Sequence, residues 1–348
     1  MRRIVLQAPG RFEIEEAPVP EPGPEQVLLR IRRVGICGSD LHLFRQGTLG
    51  GRETGGSHVI GHECTGRVDA VGRNVDPHLK DTRVSVEPAI PCGECQWCRT
   101  GQYNVCPNGD FLGLPPTPGA LQDYLVHPAR CLHPLPDDVS DEAGVVLEPM
   151  AIALHAVRLS KVRPGQSVAI LGTGTVGTCV LELLRLYGAT RVVCTDLVDD
   201  RLQRARQMDA DGTVNATGLG LEEAAARVRS ELPDRGADVV FECCGEEQTL
   251  WNMCEIAAPL AHVVVVGSNR DDRVRMASST ARRRGLTLRF VRRSLHTLEP
   301  AMELARKGDV EVEKLATHVL PADRTQEAFK TADKRRDGVL KAIVDMTR

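Results

Sequence analysis

Four of the twelve cysteines in this 348-residue chain crowd into one stretch, CGECQWCRTGQYNVC over residues 92–106. Gaps of two, two and seven residues let the thiolates of Cys92, Cys95, Cys98 and Cys106 converge on one tetrahedral Zn²⁺. A closed set of four thiolates marks a structural ion. A second potential metal set is scattered: Cys37, the pair His62-Glu63, and Glu148. Sulfur, nitrogen and carboxylate together suit a working zinc that keeps a position open. A third constellation is the glycine loop Gly172-Thr-Gly174-Thr175-Val176-Gly177, with the acid Asp196 nineteen residues beyond it. In a strand–loop–helix context the first glycine permits a tight turn, the second lets backbone approach a pyrophosphate, and the third lets helix pack on strand. The helix N-terminus adds partial positive charge toward the phosphates. Asp196 can accept from both adenosine ribose hydroxyls and would repel a 2′-phosphate, which favours NAD over NADP.

These groups need elements to position them. Residues 1 to about 155 read as strand-rich, with Val27–Val34 alternating apolar and basic residues as a half-buried strand does. After Arg163-Pro164-Gly165 the pattern changes to alternating strand and helix. Strands are expected at 168–171, 191–196, 237–242 and 261–267, with a last one at 286–292, and helices at 178–187 and 201–208. Alternation of this kind implies a parallel sheet covered on both faces. A helix over 300–307 and a strand over 339–344 return to the first domain. Cys243-Cys244-Gly245 and Gly267-Ser268 end two of the expected strands and lie on the nicotinamide side.

Composition bounds the function. A formal net charge of −3 and 3% aromatics give no basic stripe and few stacking platforms, which argues against a nucleic-acid partner. A zinc ribbon usually pairs two separated CxxC knuckles, unlike this triplet plus Cys106. The start lacks the apolar core of a signal peptide, and no apolar run approaches membrane-spanning length, so no membrane association is expected. The reading is a cytoplasmic protein whose cysteines are reduced or metal-bound.

Taken together, these motifs resemble the zinc-dependent medium-chain dehydrogenases, and specifically their sorbitol (polyol) dehydrogenase-like branch. The resemblance spans nearly the whole length. It rests on the Cys37 and His62-Glu63 segments, the cysteine lobe, Leu147-Glu148-Pro149, the glycine loop, Thr195-Asp196 and Thr317-His318. It implies an α/β chain in which a Rossmann NAD-binding domain (156–291) is inserted in a GroES-like, β-rich catalytic domain (1–155, with 292–348 returning to it). It implies catalytic zinc on Cys37, His62 and Glu63, with Glu148 either completing the set or holding the zinc water, and a second, structural zinc in the lobe. Glu148-Pro149 argues against an ethanol-type enzyme. A dimer or tetramer is the usual assembly of the family.

The expected activity is hydride transfer from a secondary alcohol of a polyol to NAD, giving a ketose. A thiolate and a carboxylate would leave the zinc site neutral, and adding Glu148 would make it about −1, which weakens its Lewis acidity. Ser39, two residues after Cys37, is placed to take the alcohol proton, and His42 to pass it onward. Arg201 would cover the adenine or ribose side, or else stand exposed on its helix. The substrate wall departs from the branch: Phe111 is kept, but an arginine–tyrosine pair reads Arg292-Arg293. Arg292 can hydrogen-bond a polyol hydroxyl. Arg293 either favours an anionic substrate, such as a sugar phosphate or sugar acid, or faces solvent or a subunit interface. Alternatives are a threonine or other small-alcohol dehydrogenase, or a non-catalytic NAD-binding zinc protein.

Overall fold

Two sheets organise the computed structural model, which describes residues 1–49, 52–53, 56–269 and 273–348. The chain divides into two compact units, one made of Met1–Glu148 with Arg293–Arg348 and the other of Pro149–Arg292. The sequence expectation put the breaks at 155/156 and 291/292. The first division falls inside one helix, Asp141–Ser160, at its interior Pro149.

In the first unit the strand Gln26–Gly35 is the centre of a seven-stranded sheet. It is flanked on one side by Glu63–Val71 and on the other by Lys341–Asp345, both antiparallel to it. Arg83–Val86 and Leu132–Pro134 extend one side, Ala316–Pro321 the other, and Tyr124–Pro128 also pairs with the central strand. Val27, Leu29, Ile31 and Val34 enter the core. The alternation is broken by register shifts at Leu28/Leu29 and Ile31/Arg33, so Leu28 and Leu29 are both buried. Arg32 and Arg33 are half-buried and paired, with Asp141 at 2.5 Å and with Glu142 and Asp345 at 2.6 and 2.5 Å. Acids in the first turn of the helix Asp141–Ser160 are favoured there by the helix dipole as well.

The second unit is a six-stranded, wholly parallel sheet. Its strands run Gly212–Asn215, Arg191–Asp196, Ser167–Leu171, Ala237–Glu242, Ala257–Val265 and Thr287–Phe290 across the sheet. The chain therefore reverses direction beside Ser167–Leu171, and the crevice at the carboxyl ends of the strands there is where such sheets bind nucleotides. Helices Thr175–Leu186, Asp199–Gln207, Leu221–Ser230 and Glu247–Ile256 follow successive strands. The strands Ser167–Leu171 and Ala237–Glu242 are buried almost throughout because helices cover both faces. The last strand stops at Phe290 and does not reach residue 292. The strand Gly212–Asn215 is short and polar, which hid it in the sequence.

The expectation that no apolar run reaches membrane-spanning length is corrected. One helix among the described residues, Asp141–Ser160, is long and apolar enough by length and composition, but 83% of its most apolar window is buried within the protein. Glu148 and Pro149 interrupt the run in the sequence and concealed it.

Buried His127 lies on the strand Tyr124–Pro128, its Nε2 3.1 Å from the Glu87 carbonyl oxygen. Burial pulls its pKa down to about 4. The imidazole is thus neutral in the fold, whereas the unfolded chain protonates it near 6.5. Its contribution is complete above pH 6.5 and is lost as pH falls toward 4, about 3 kcal/mol in all. Denaturant unfolding at pH 7, 5.5 and 4 should show this loss, and His127→Gln should flatten it by a similar amount.

Candidate functional site

The central strand of the first unit runs straight into the site. Its last residue, Gly35, lies opposite Glu63 on one neighbour and Ile343 on the other. A Cβ at Gly35 would come within 2.4 Å of the Glu63 carboxylate, so the position has room for glycine alone. Two residues on, Cys37 caps the helix Gly38–Gln46, where a thiolate meets the helix N-terminus. His62 immediately precedes the strand that carries Glu63. One sulfur, one ring nitrogen and one carboxylate oxygen from Cys37, His62 and Glu63 all lie within 4.8 Å of one another. That donor set and spacing fit one zinc ion with a position to spare.

Glu148 lies outside this group of three. It is buried on the helix Asp141–Ser160, close enough to feel the charges of His62, Glu63 and Lys341. Burial, opposed by His62 and reinforced by Glu63, pushes its carboxyl up to about 8. Ser39, in the first turn of the helix Gly38–Gln46, and His42, one turn on, are both half-buried and lie on one face.

Two residues here were not singled out from the sequence. Asp40 is buried and holds three partners: its Oδ2 accepts from the Cys37 N–H at 3.0 Å, and its Oδ1 lies 3.3 Å from the Gly61 N–H and 3.4 Å from His62 Nδ1. A carboxylate on Nδ1 fixes the ring and leaves Nε2 to face a metal. Burial alone would lower the His62 pKa, but the charges and hydrogen bonds of Asp40 and Cys37 raise it well above the usual value. The signal was present, since Asp40 sits three residues after Cys37. Lys341 had no local signal. Its Nζ donates to Glu63 Oε2 at 2.5 Å and to the Ile36 carbonyl at 3.1 Å, with both side chains almost wholly buried. Thr317 steadies that strand, donating from Oγ1 to the Lys341 carbonyl at 3.2 Å. Lys341 changes the expected charge balance: with zinc, Cys37, Glu63 and Glu148 all charged, the site is neutral rather than −1.

In the cysteine lobe the sulfur pairs Cys92–Cys106, Cys95–Cys98, Cys95–Cys106 and Cys92–Cys98 stand 3.5, 3.5, 3.8 and 3.9 Å apart. Zinc–sulfur bonds of about 2.3 Å in a tetrahedron require about 3.8 Å between sulfurs. The four thiols fit that ion.

Beside the three donors, the Phe111 ring lies 5.2 Å from that of His62. The Arg293 guanidinium lies over the Phe111 ring, 4.7 Å from its centroid. Arg293 is half-buried, whereas Arg292 is exposed.

In the second unit, Gly172 adopts φ 95° after the strand Ser167–Leu171. The helix begins at Thr175, earlier than the expected 178, so Thr175 and Val176 contribute first-turn N–H groups. At Gly177 a Cβ would sit 1.9 Å from the Gly172 carbonyl oxygen, which is the close helix–strand approach the motif requires. Asp196 is engaged locally: Oδ2 accepts from the Thr173 N–H and Oγ1 at 2.9 and 3.1 Å, and Oδ1 from the Leu197 and Val198 N–H groups at 2.8 and 3.1 Å. Arg201 Nη1 is 3.7 Å from Oδ2. Gly267 and Ser268 follow the strand Ala257–Val265 and pack on the backbone of Gly245. That turn is held by buried Glu242, which accepts from the Cys244 and Gly245 N–H groups and from Thr249 Oγ1.

Two family models match this chain: the alcohol dehydrogenase GroES-like domain over residues 23–137 and the zinc-binding dehydrogenase domain over 175–307. The chain belongs to the zinc-dependent alcohol dehydrogenase family. It is therefore an oxidoreductase of the medium-chain, sorbitol dehydrogenase-like type. Sorbitol dehydrogenase of Homo sapiens is 34% identical over 332 residues, 95% of this chain and 92% of that protein. L-idonate 5-dehydrogenase of Vitis vinifera is 34% identical over 325 residues, 92% of this chain and 88% of that protein. Among solved structures, the short chain alcohol dehydrogenase rspB of E. coli CFT073, in complex with NADH, superposes with a TM-score of 0.89 at 26% identity and covers 99% of both chains.

Lys341→Met should strand a buried carboxylate at Glu63. The metal-free protein should lose about 3–5 kcal/mol of stability. Added zinc should restore much of it, so the gap in Tm between zinc-loaded and chelator-treated protein should widen relative to the unsubstituted chain. An unchanged gap would mean that the pair does not support the metal set.

Proposed function

We propose that the chain is a zinc-dependent, NAD-linked polyol dehydrogenase, converting a secondary alcohol to a ketone as NAD⁺ accepts hydride. The observation that carries this is the mixed donor set Cys37, His62 and Glu63, backed by Asp40 on the imidazole and Lys341 on the carboxylate. Zinc held there supplies the positive charge that acidifies an alcohol hydroxyl. The chain's own residues do the rest. Asp40 fixes the His62 tautomer. Lys341 holds Glu63 by Oε2, which leaves Oε1 for the metal. Ser39 relays the hydroxyl proton, its Oγ taking it as its own proton leaves, and His42, one turn along the same helix face, carries that proton away. Buried Glu148, whose carboxyl burial and Glu63 push up in the metal-free fold, stands beside the ligand set.

In the second unit the loop Gly172–Gly177 and the helix behind it take the pyrophosphate, with Thr175 and Val176 in the first turn. Asp196 orders the loop through Thr173 and presents negative charge where an adenosine 2′-phosphate would stand, which supports NAD. Arg201 lies against it on the ribose side. A second zinc in the cysteine lobe is structural. The sorbitol and idonate names of the relatives support a polyol-sized substrate.

Metal analysis combined with NAD-reduction assays on C4 to C6 polyols tests the reading. Two zincs per chain and turnover of a polyol are expected. His62→Ala should bind one zinc and lose roughly 1,000-fold or more in kcat/KM, while its dissociation constant for NADH stays near that of the unsubstituted chain. Full zinc loading and turnover in this variant would refute the metal assignment. Asp196→Ala should weaken NAD binding by about 10-fold or more and narrow the preference over NADP. An unaltered cofactor ratio would remove Asp196 from that role.

A further inference from the structure

We propose that the free edge of the nucleotide sheet carries a binding site for a phosphate-class oxyanion, built from Lys161, Arg163, His262 and Arg289 and separate from the pyrophosphate seat. All four residues belong to the second unit, and the site is independent of which alcohol is oxidised.

Parallel pairing sets His262 opposite Thr287, and Val264 opposite Arg289. Paired residues point to one face, and alternate residues along a strand share it, so His262, Thr287 and Arg289 stand together. Val263 and Val265, on the other face, enter the apolar core. Further into the sheet the face of His262 is closed, with Val168, Val239, Phe241 and Val264 wholly buried. At the edge the cover ends: His262 and Arg289 are half-buried and Thr287 is exposed. Pairing also puts His262 level with Val239 and, through it, with Val168 at the start of the strand Ser167–Leu171. The segment leading into that strand supplies Lys161 and Arg163. Burial first, and then the charges of Arg289, Lys161 and Arg163, hold the His262 imidazole below its usual pKa.

Basic groups gathered without an acid repel one another and leave a standing positive potential. Among the described residues no carboxylate pairs with any of these four, and no acid is among the charges acting on His262. Asp238, on the neighbouring strand, points to the opposite face and is taken by Arg235 and Ser167. The inner nitrogens, His262 Nδ1 and Arg289 Nε, are shut from solvent. The outer ones, His262 Nε2 and the two Arg289 Nη, are neither buried nor bonded, so the guanidinium keeps its outer donors for a ligand.

Lys161 adds a conformational observation. It follows the helix Asp141–Ser160 at φ 55°, its N–H donating to the Arg158 carbonyl at 3.4 Å. A left-handed residue just past a helix end is ordinarily glycine, and a side chain there costs about 1 kcal/mol. Glycine would remove that cost and the ammonium with it. An oxyanion accepts from a guanidinium, an ammonium and an imidazole N–H at once, through charge-assisted bonds roughly twice as strong as neutral ones. The last strand lies three places from the one that leads into the glycine loop, so the two anion seats are distinct.

Calorimetric titration of inorganic phosphate and pyrophosphate into the zinc-loaded protein, with and without saturating NADH, tests this. With NADH filling the other seat, one site per chain should remain, with a dissociation constant of about 1 mM or tighter that weakens as NaCl is added. Arg289→Gln should weaken it by about 10-fold or more. Lys161→Gly should weaken it about 3- to 10-fold while Tm holds or rises, an outcome that a purely structural lysine would not give. The His262 imidazole pKa, followed by NMR, should rise when phosphate binds, because an adjacent anion favours the imidazolium. Arg227→Gln, on an exposed helix face of the same unit, should leave the affinity unchanged. Absence of saturable heat in the presence of NADH overturns the site, as does unaltered affinity in both Arg289→Gln and Lys161→Gly. A changed sedimentation mass in Arg289→Gln, with no phosphate uptake by the unsubstituted protein, also overturns it and assigns these cations to a contact between copies.

Discussion

A lysine and a glutamate almost entirely removed from water hold this site together. Glu63 and Lys341 stand on strands either side of the strand that delivers Cys37, 278 residues apart in sequence. Removing two charges from water costs several kcal/mol each, and their attraction compensates only where the geometry is good and the remaining donors are satisfied. The geometry is good here, with a 2.5 Å contact and a second bond from Lys341 to the Ile36 carbonyl. The pair fixes which carboxylate oxygen can face a metal. It also adds a permanent positive charge that offsets the surplus of acids around the trio. Asp40 does for the imidazole what Lys341 does for the carboxylate, so two of the three candidate ligands are oriented from behind by a buried charge.

The nucleotide unit uses carboxylates differently. Asp196 and Glu242 each end a strand and gather nearby N–H and hydroxyl donors. Each satisfies backbone groups that a tight turn would otherwise leave without partners, and so fixes a loop at the carboxyl edge of the sheet. Orientation of ligands in one unit and ordering of loops in the other are two uses of the same chemistry, a buried acid that gathers donors.

Much of this was legible before any coordinates, and for physical reasons. The cysteine lobe and glycine loop are compact in sequence because each is a single local structure. Cys37 and His62-Glu63 were readable only together, through the segments that carry the family resemblance. Alternating strand and helix pointed to the parallel sheet, and its insertion as a Rossmann domain was what the family resemblance implied. What stayed hidden depends on long-range pairing or on breaks in periodicity. Lys341 gains meaning only from a strand register set far away. The two register shifts in Gln26–Gly35 bury Leu28 and Leu29 together, which no alternation rule foresees. The apolar helix Asp141–Ser160 was masked by its own Glu148 and Pro149. Arg293 was ambiguous because its position depends on a left-handed backbone pinned by Ser294 and His296. Asp40 was within reach of a closer reading of the Cys37 segment.

The wide separation of Glu63 and Lys341 bears on how the protein is made. A ribosome adding about 5–20 residues per second needs roughly fifteen seconds to a minute to pass from one to the other, and the whole nucleotide unit emerges in between. Throughout that interval the thiolate, imidazole and carboxylate exist on a nascent chain without the cation that disciplines them. Metal capture before the lysine arrives would meet a looser and more negative trap, open to whichever divalent ion is at hand. Fidelity of metallation in this protein is thus a matter of timing as well as of affinity.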